Sequence, residues 1–425
     1  MRYSRLFGRT SKTVPSDADS RNARLLVQAG YVDQLMSGVY TYLPLGLRSL
    51  NRIKQVVREE MEAIGGQEIL MPALTPREPW ATTGRWNDPG PEVMFRLKGR
   101  GDKDLVLGWT HEEIVTPLVK RFIRSYKDLP VAVYQVQDKF RNEPRAKSGL
   151  LRGREFSMKD LYSFHRNQED LDEFYERAKT AYLNVYRRCG LDAIVTEASG
   201  GAFSEYSHEY QVLTENGEDI IYYCPKCQYA QNREISGYRA GDACPKCGEA
   251  MGEGKAIEVG NIFRLGTRFT DPFGVTYSDE TGKQQPVVMG CYGIGPSRVM
   301  GAIVEIHSDD RGIIWPKQVA PYPVQLVLVP SKDGEEAVRL RETAEKLASG
   351  LAAVGLEPLY DDREDVRAGE KFADADLIGL PVRLVVSPKS LGAGGVEWKL
   401  RSGSDTEIVP IDAVPDRVSD FYNLT

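Results

Sequence analysis

Residues 140–156, FRNEPRAKSGLLRGREF, set two clusters of Arg and Glu between two phenylalanines. From Lys139 to Lys159 seven Lys/Arg stand against two Glu, a local excess of five positive charges in a chain whose formal net charge is −6. Arginines on a strand most often form a solvated face, and that reading stands beside a chemical one. Arg141, Glu143, Arg152 and Phe156 fall on the two flanks of one predicted hairpin, so they can converge on one surface of a sheet. The guanidinium fork matches phosphate and carboxylate oxygens and stays charged at every working pH. Phe156 offers a flat partner for a base, and Glu143 an acceptor for an exocyclic amine. A purine ribonucleoside triphosphate meets all of these demands.

A second cluster lies downstream. Cys224, Cys227, Cys244 and Cys247 read CxxC-x16-CxxC, the spacing of a four-thiolate zinc ribbon in which each CPKC turn presents two sulfurs to one tetrahedral ion. A structural Zn²⁺ would hold together an insert too small for its own core. Reduced thiols without metal and a redox pair are the other readings. Four thiolates leave no open coordination position, so a catalytic zinc does not fit.

These residues need a scaffold. Pro44 to Ile64 places Leu47, Leu50, Ile53, Val57, Met61 and Ile64 at helical spacing, with Pro44 suited to a helix start and Gly65-Gly66 to a stop. QEILMP follows as a short strand; next come a loop, TTGRWNDPGPE, and two apolar runs, MFRL and DLVLGW, that read as antiparallel strands. A helix is predicted from near Thr110, with acids in its first turn. VAVYQVQDKF and REFSMKDLYSFH flank the arginine-rich loop as strands, and DLDEFYERAKTAYLNVYRRCG is an amphipathic helix. The mixture lacks a strict βαβ rhythm, which predicts an α+β domain around an antiparallel sheet flanked by helices. After the Pro-rich link WPKQVAPYP the texture changes to strand–helix alternation, a small α/β unit with a mixed sheet. The expected division is a domain of residues 1–321, containing the short four-cysteine, zinc-ribbon-like insert at 224–255, and a second of 322–425.

Apolar content (41%) and charged content (27%) are those of an ordinary soluble globular protein. No run approaches the roughly 20 apolar residues of a membrane span. The basic start, MRYSRLFGRTSKTVPS, could suggest a transit peptide but has no secretory apolar core. Six cysteines, four of them in CxxC pairs, point to a reducing compartment; the expected location is cytoplasmic.

FRNE…LLRGREF resembles motif 2 of the class II aminoacyl-tRNA synthetases, GCYGIGPSRVMGAIVE (290–305) resembles motif 3, and IGGQEILMP with Pro72 is similar to motif 1. THEE, GREFSMKDLYSF, SHEY, IEVGNIF, MGCYGIG and GIIWP resemble segments of the bacterial-type prolyl-tRNA synthetases, which also begin as this chain begins. The resemblance implies ATP, L-proline and tRNA(Pro) as substrates and a homodimer built on motif 1. It implies that Arg141 bridges the proline carboxylate and the α-phosphate, Glu143 accepts from the adenine amine, and Phe156 stacks on the ring. Arg152 and Arg298 would hold the γ-phosphate, and Glu258 would contact ATP or Mg²⁺, a strand-end salt bridge being its plainer role. Thr110 and Glu112 match a T-x-E element that receives proline's secondary ammonium; a threonine N-cap followed by first-turn acids is equally compatible. Trp109 departs from the proline more usual before that threonine. His208 and Cys291 resemble pocket-lining positions, Cys291 as packing rather than as a nucleophile. Cys189, His111, His165 and His307 receive no functional reading.

A small apolar pocket excludes a smaller substrate poorly, a missing methylene being worth about 1–3 kcal/mol, so alanine should leak through. Many bacterial relatives carry a large editing domain between motifs 2 and 3. Here family-like sequence runs through GEDIIYY and resumes at AIEVGNIF, leaving only about residues 224–255 between, too few for such a domain, so editing would fall to a separate trans-editing protein. The C-terminal unit resembles an anticodon-binding domain, which reads splayed bases on their edges. It carries twelve Lys/Arg against nineteen Asp/Glu, a net of −7 over residues 322–425, so RNA needs a local basic face, for which Arg367, Lys371 and Arg383 are the candidates. Two other classes remain: a related ligase for another amino acid or a carrier protein, and a non-catalytic nucleotide- or tRNA-binding paralogue, against which the complete arginine set speaks.

Overall fold

The computed structural model describes residues 1–13 and 18–423. The chain divides into two compact units, one made of Met36–Val39 and Ile53–Ala302, the other of Met1–Leu35, Tyr40–Arg52 and Ile303–Thr425. Among the described residues no helix is long and apolar enough to cross a membrane.

The first predicted helix forms at Pro44–Ala63 (α1) and ends at Gly65, whose φ of 89° is a left-handed conformation that glycine adopts without strain. The first unit then builds a nine-stranded sheet. Its strands are Gln67–Glu68 (β1), Val131–Phe140 (β2), Glu155–His165 (β3), Ala193–Ser199 (β4), Tyr206–Leu213 (β5), Asp219–Tyr223 (β6), Ala230–Asn232 (β7), Gly252–Gly266 (β8) and Val288–Ile294 (β9). Their spatial order is β5-β4-β7-β6-β8-β9-β3-β2-β1, with β5 also pairing with β8. All pairings are antiparallel except β7 with β4 and β1 with β2. The hairpin expected around the arginine-rich loop is β2–β3, in register from Val131↔Phe164 to Phe140↔Glu155.

One face of this sheet is closed by the helix Gln168–Arg188 (α3, counting Glu112–Val119 as α2). Asn167 caps it, its side chain accepting from the Asp170 amide at 2.9 Å. Leu171, Phe174, Tyr175, Ala178, Ala181, Tyr182, Val185 and Tyr186 are its buried residues, the stripe expected of a helix packed on a sheet. With Tyr210 and Tyr292 from the strands they form a layer of tyrosine rings. The fit leaves no space for a side chain at two glycines: a Cβ at Gly260 would lie 2.1 Å from the Tyr186 hydroxyl, and one at Gly290 2.4 Å from the Tyr292 hydroxyl. Because strand side chains alternate, residues that do not point at the tyrosines point to the opposite face, and there the pocket lies.

Pro296–Ile306 (α4) carries Arg298 in its first turn. The second unit holds a five-stranded mixed sheet of Val324–Leu328 (β10), Leu359–Asp361 (β11), Val382–Val386 (β12), Val396–Leu400 (β13) and Thr406–Val409 (β14), ordered β11-β10-β12-β13-β14. Strand β10 runs parallel to β11 and β12; the remaining pairs are antiparallel. The helix Gly334–Ala353 packs on it, and Val324, Leu326, Leu340, Leu384, Trp398 and Val414 share its core. The mixed α/β texture read from the sequence is thus present, on a unit that also takes in the chain's first residues: the Met1 carbonyl accepts from the Tyr360 amide at 2.8 Å.

Candidate active site

A cavity of about 320 Å³ opens on the sheet face opposite the tyrosines, within the size range of small-molecule sites. Thr110, Arg141, Glu143, Arg152, Phe156, Glu258, Cys291 and Arg298 all line it. The hairpin delivers four of them. The Arg141 amide donates to the Arg154 carbonyl at 2.8 Å, which continues the β2–β3 ladder past its last paired strand residues. The Arg141 guanidinium carbon sits 5.2 Å from the centre of the Phe156 ring. Burial, then the neighbouring Arg298, pulls the Arg141 pKa down from its ordinary value, and its Nε is buried without a hydrogen-bond partner among the described residues. A buried, unpaired donor costs free energy, and an anionic oxygen in the cavity would relieve it.

Carboxylates hold the other two arginines. Arg152 Nε donates to Glu143 Oε2 at 2.9 Å, and Arg152 Nη1 lies 3.5 Å from Glu218. Arg298 Nη1 donates to Glu258 Oε2 at 2.9 Å and to the Glu258 carbonyl at 3.2 Å, while its Nε donates to the Leu151 carbonyl at 2.9 Å. Glu258 thus makes a salt bridge inside the cavity wall, from the middle of β8 and not from a strand end as its plainer reading had it.

The far end of the cavity is drier. Thr110 does not cap α2; His111 is the N-cap residue and makes no side-chain cap bond. The Thr110 hydroxyl instead donates to Glu112 Oε2 at 2.5 Å. Glu112 is fully buried just behind the lining, where Arg85 Nη1 donates to its Oε2 at 3.1 Å and the Cys291 thiol to its Oε1 at 3.1 Å. Burial, then the Glu112 carboxylate, pushes the Cys291 thiol well above its ordinary pKa, so it remains a thiol, in keeping with a packing residue. Glu113 is buried beside Arg85 (3.5 Å) and accepts from the Thr83 hydroxyl at 2.8 Å. Burial outweighs Arg85 and pushes the Glu113 pKa up to about 7.

Arg85 is the functional side chain that sequence reading missed. It came from the stretch TTGRWNDPGPE, read only as a loop because it has no period. In the fold it is 3% exposed, and its guanidinium lies 4.9 Å from Trp109 and 4.5 Å from both Phe203 and Phe269. Its Nη2 donates to the Ala202 carbonyl at 3.1 Å, on the 199–203 segment that forms one wall of the cavity.

His208 is not brought to the cavity. Tyr175 Oη and His208 Nδ1 lie 2.8 Å apart on the helix-covered face, and burial pushes the imidazole pKa down to about 4. Its neighbour Glu209 takes the cavity face instead. The cause is the two-residue period of β5: with Tyr210 in the tyrosine layer, His208 shares its side and Glu209 faces away. Burial, then Glu258, pushes the Glu209 carboxyl up to about 8. In the other unit, Lys371 is fully buried, its Nζ donating to the Leu328 carbonyl at 2.6 Å, so it presents nothing to RNA. Arg383 is largely buried and paired with Asp376 at 3.2 Å; Arg367 is exposed at the start of the helix Ala368–Ile378.

The four cysteines meet. All four Sγ atoms lie within 4.8 Å of one another, with Cys224–Cys247 at 3.5 Å and Cys227–Cys244 at 3.6 Å. A tetrahedral zinc with bonds of about 2.3 Å sets its sulfurs about 3.8 Å apart, so the donor set fits. The two CPKC turns are equivalent. Gln228 and Gly248, each just past its second cysteine, both take positive φ (58° and 76°), and their amides donate to the Cys224 and Cys244 carbonyls at 2.9 and 2.8 Å.

A family model described as "tRNA synthetase class II core domain (G, H, P, S and T)" matches residues 95–307, and one described as "Anticodon binding domain" matches residues 325–421. The chain is similar to the proline–tRNA ligase of Dehalococcoides mccartyi strain CBDB1, 36% identical, with 98% of each chain covered. The proline–tRNA ligase of Anaeromyxobacter sp. strain K is 35% identical over 99% of this chain and 98% of its own length. The first alignment is 565 positions long against 425 residues here, so at least 140 positions, the difference, face a gap in this chain. Among solved structures, Giardia lamblia prolyl-tRNA synthetase in complex with prolyl-adenylate shares the fold, with a TM-score of 0.77 at 21% identity over 92% of this chain and 73% of that one.

The buried acids at the dry end make a pH prediction. Glu113 titrates near 7 in the fold and at 4.5 as its ordinary value. Between those pH values the folded state keeps a proton that the unfolded state releases, so this group makes stability fall as pH rises from about 4.5 to 7 and adds no further change above that. Glu113→Gln removes the fall. The stability of the variant minus that of the wild type, from urea unfolding at pH 5 and pH 8, should increase by on the order of 1 kcal/mol or more; parallel pH profiles would refute the assignment.

Proposed function

The chain belongs to the proline–tRNA ligase family, and on that premise we propose that the cavity binds ATP and L-proline side by side and joins them as prolyl-adenylate for transfer to tRNA(Pro). The observation that carries the reading is the convergence of three arginines, one aromatic ring and the Thr110–Glu112 pair on a single cavity. Arg141, whose electrostatic neighbours include Arg298, Glu258 and Glu143 as well as Glu112, would bridge the proline carboxylate and the α-phosphate. A carboxylate oxygen of proline attacks the α-phosphorus, the bond from phosphorus to the bridging β-phosphate oxygen breaks, and pyrophosphate leaves. The carboxylate is already ionised, so no general base is required. The residues contribute positioning and charge stabilisation, with Arg141 opposite the oxygens that gain charge. Phe156 and Glu143 would hold the adenine, Arg152 and Arg298 the γ-phosphate, and Thr110 with Glu112 the secondary ammonium.

Both arginines of the phosphate end already pair with carboxylates, so nucleotide phosphates would exchange one anionic partner for another rather than meet bare charge. Glu258 supplies a hard oxygen donor of the kind that holds Mg²⁺ beside phosphates, where the ion would neutralise developing charge. We assign a structural Zn²⁺ to Cys224, Cys227, Cys244 and Cys247, as ligation would hold the two knuckles together. The anticodon-domain match supports tRNA recognition by the second unit, with Arg367 the remaining candidate of the three basic residues. With only residues 224–251 between β6 and β8, we assign the missing alignment positions to that interval and infer that this chain lacks an editing domain.

The reading is tested by amino-acid-dependent ATP–pyrophosphate exchange with proline, alanine, cysteine and threonine. Strong exchange with proline, lost in Arg141→Ala, is expected; preference for another amino acid would overturn the specificity, and no exchange with any would favour a binding protein. Elemental analysis of enzyme purified without chelator should give close to one zinc per chain, and a ratio near zero would sink the metal assignment. Incubation of the enzyme with Ala-tRNA(Pro) should leave the ester intact at the rate of the uncatalysed control. Rapid deacylation would mean that editing resides in this chain after all.

A further inference from the structure

We propose that the four-cysteine insert is a positioning device for the 199–203 wall of the cavity, and that it acts through Glu234 and Asn232. Strand β7 begins three residues after Cys227 and pairs in parallel with the end of β4, Ala230 opposite Thr196 and Gln231 opposite Glu197. Side chains reinforce the seam: Glu197 Oε2 accepts from Tyr229 Oη at 3.1 Å and from Gln231 Nε2 at 2.9 Å. Two bonds then reach the cavity. Asn232 Nδ2 donates to Oε2 of the cavity-lining Glu209 at 3.2 Å, and Glu234 Oε1 accepts from the Ser199 amide at 3.0 Å.

Ser199 is the last residue of β4 and the first of the wall. At the other end of the wall the Ala202 carbonyl is held by Arg85, which also holds Glu112, and the Phe203 ring lies 4.7 Å from that of Phe263. The segment is therefore tied at one end to the insert and at the other to the carboxylate of the amino-acid end. The insert has only a small core of its own, Tyr222, Cys224, Cys244 and Met251 with Tyr229 and Tyr238 at its edge. Closing the cysteine cluster would fix how β7, laddered to β6 on its other side, presents Glu234 to β4, so the state of that cluster is transmitted through Glu234 to the wall and the amino-acid end.

The inference rests on the reading above for which substrate occupies which end, and its test separates the two. In the full-length protein, Glu234→Ala should raise the KM for proline by about 2- to 10-fold, the worth of one such hydrogen bond, with the KM for ATP nearly unchanged. Glu234→Gln keeps an acceptor oxygen and should stay close to wild type. Cys244→Ser, or dialysis against a chelator, should give the same proline-selective shift and faster amide hydrogen exchange in residues 196–203. Unchanged exchange there in both Cys244→Ser and Glu234→Ala would overturn the proposal, as would equal shifts in both KM values. A wild type without proline-dependent activity would sink the substrate assignment alone, since hydrogen exchange still decides the coupling.

Discussion

Like charges crowded into one cavity repel, and the pairing of arginines with carboxylates is the interaction on which the site depends. Arg152 leans on Glu143 and Arg298 on Glu258, so two guanidinium forks are oriented in advance of any phosphate. Arg141 is the exception: its Nε is buried without a partner among the described residues, and its charged neighbours include both Arg298 and Glu112. The pattern suits in-line phosphoryl transfer, in which the protein contributes geometry and charge rather than covalent chemistry.

The amino-acid end solves a different problem. A buried carboxylate is costly unless paired and hydrogen-bonded, and Glu112 meets both conditions through Arg85, Thr110 and Cys291. The rings of Trp109, Phe203 and Phe269 surround the Arg85 guanidinium and offer their faces where water would otherwise stand. A second acid, Glu113, shares that single arginine, which is why burial wins there and its carboxyl titrates near neutrality. The end of the cavity proposed to take proline is thus a balance of two acids against one base.

The convergence of the arginine-rich hairpin on one cavity was legible because its parts are close in sequence. Arg141, Glu143, Arg152 and Phe156 belong to one hairpin, and a hairpin brings its flanks together whatever surrounds it. The cysteines were legible for the same reason, each CPKC turn being a local structure that needs only the other as partner. Arg85 was not, since a loop without period gives no direction and its partners come from residues 112, 113 and 202. His208 and Glu209 were exchanged, because adjacent strand residues face opposite ways and only the packing of Tyr210 into the tyrosine layer decides which side is which. Lys371 looked like a basic surface residue, but its helix turns it inward against the Leu328 carbonyl.

By itself the sequence determined the element types, the hairpin that carries the arginines, the sulfur set and the family resemblance, all of which follow from spacing over a few residues and from side-chain chemistry. Tertiary structure decided which face of each strand lines the cavity, which buried charge answers which, and how the insert is stitched to the cavity wall. Those outcomes depend on contacts between residues far apart in the chain, and a strand's two faces differ by a single step in sequence. A one-residue shift would exchange pocket for core without altering any local signal.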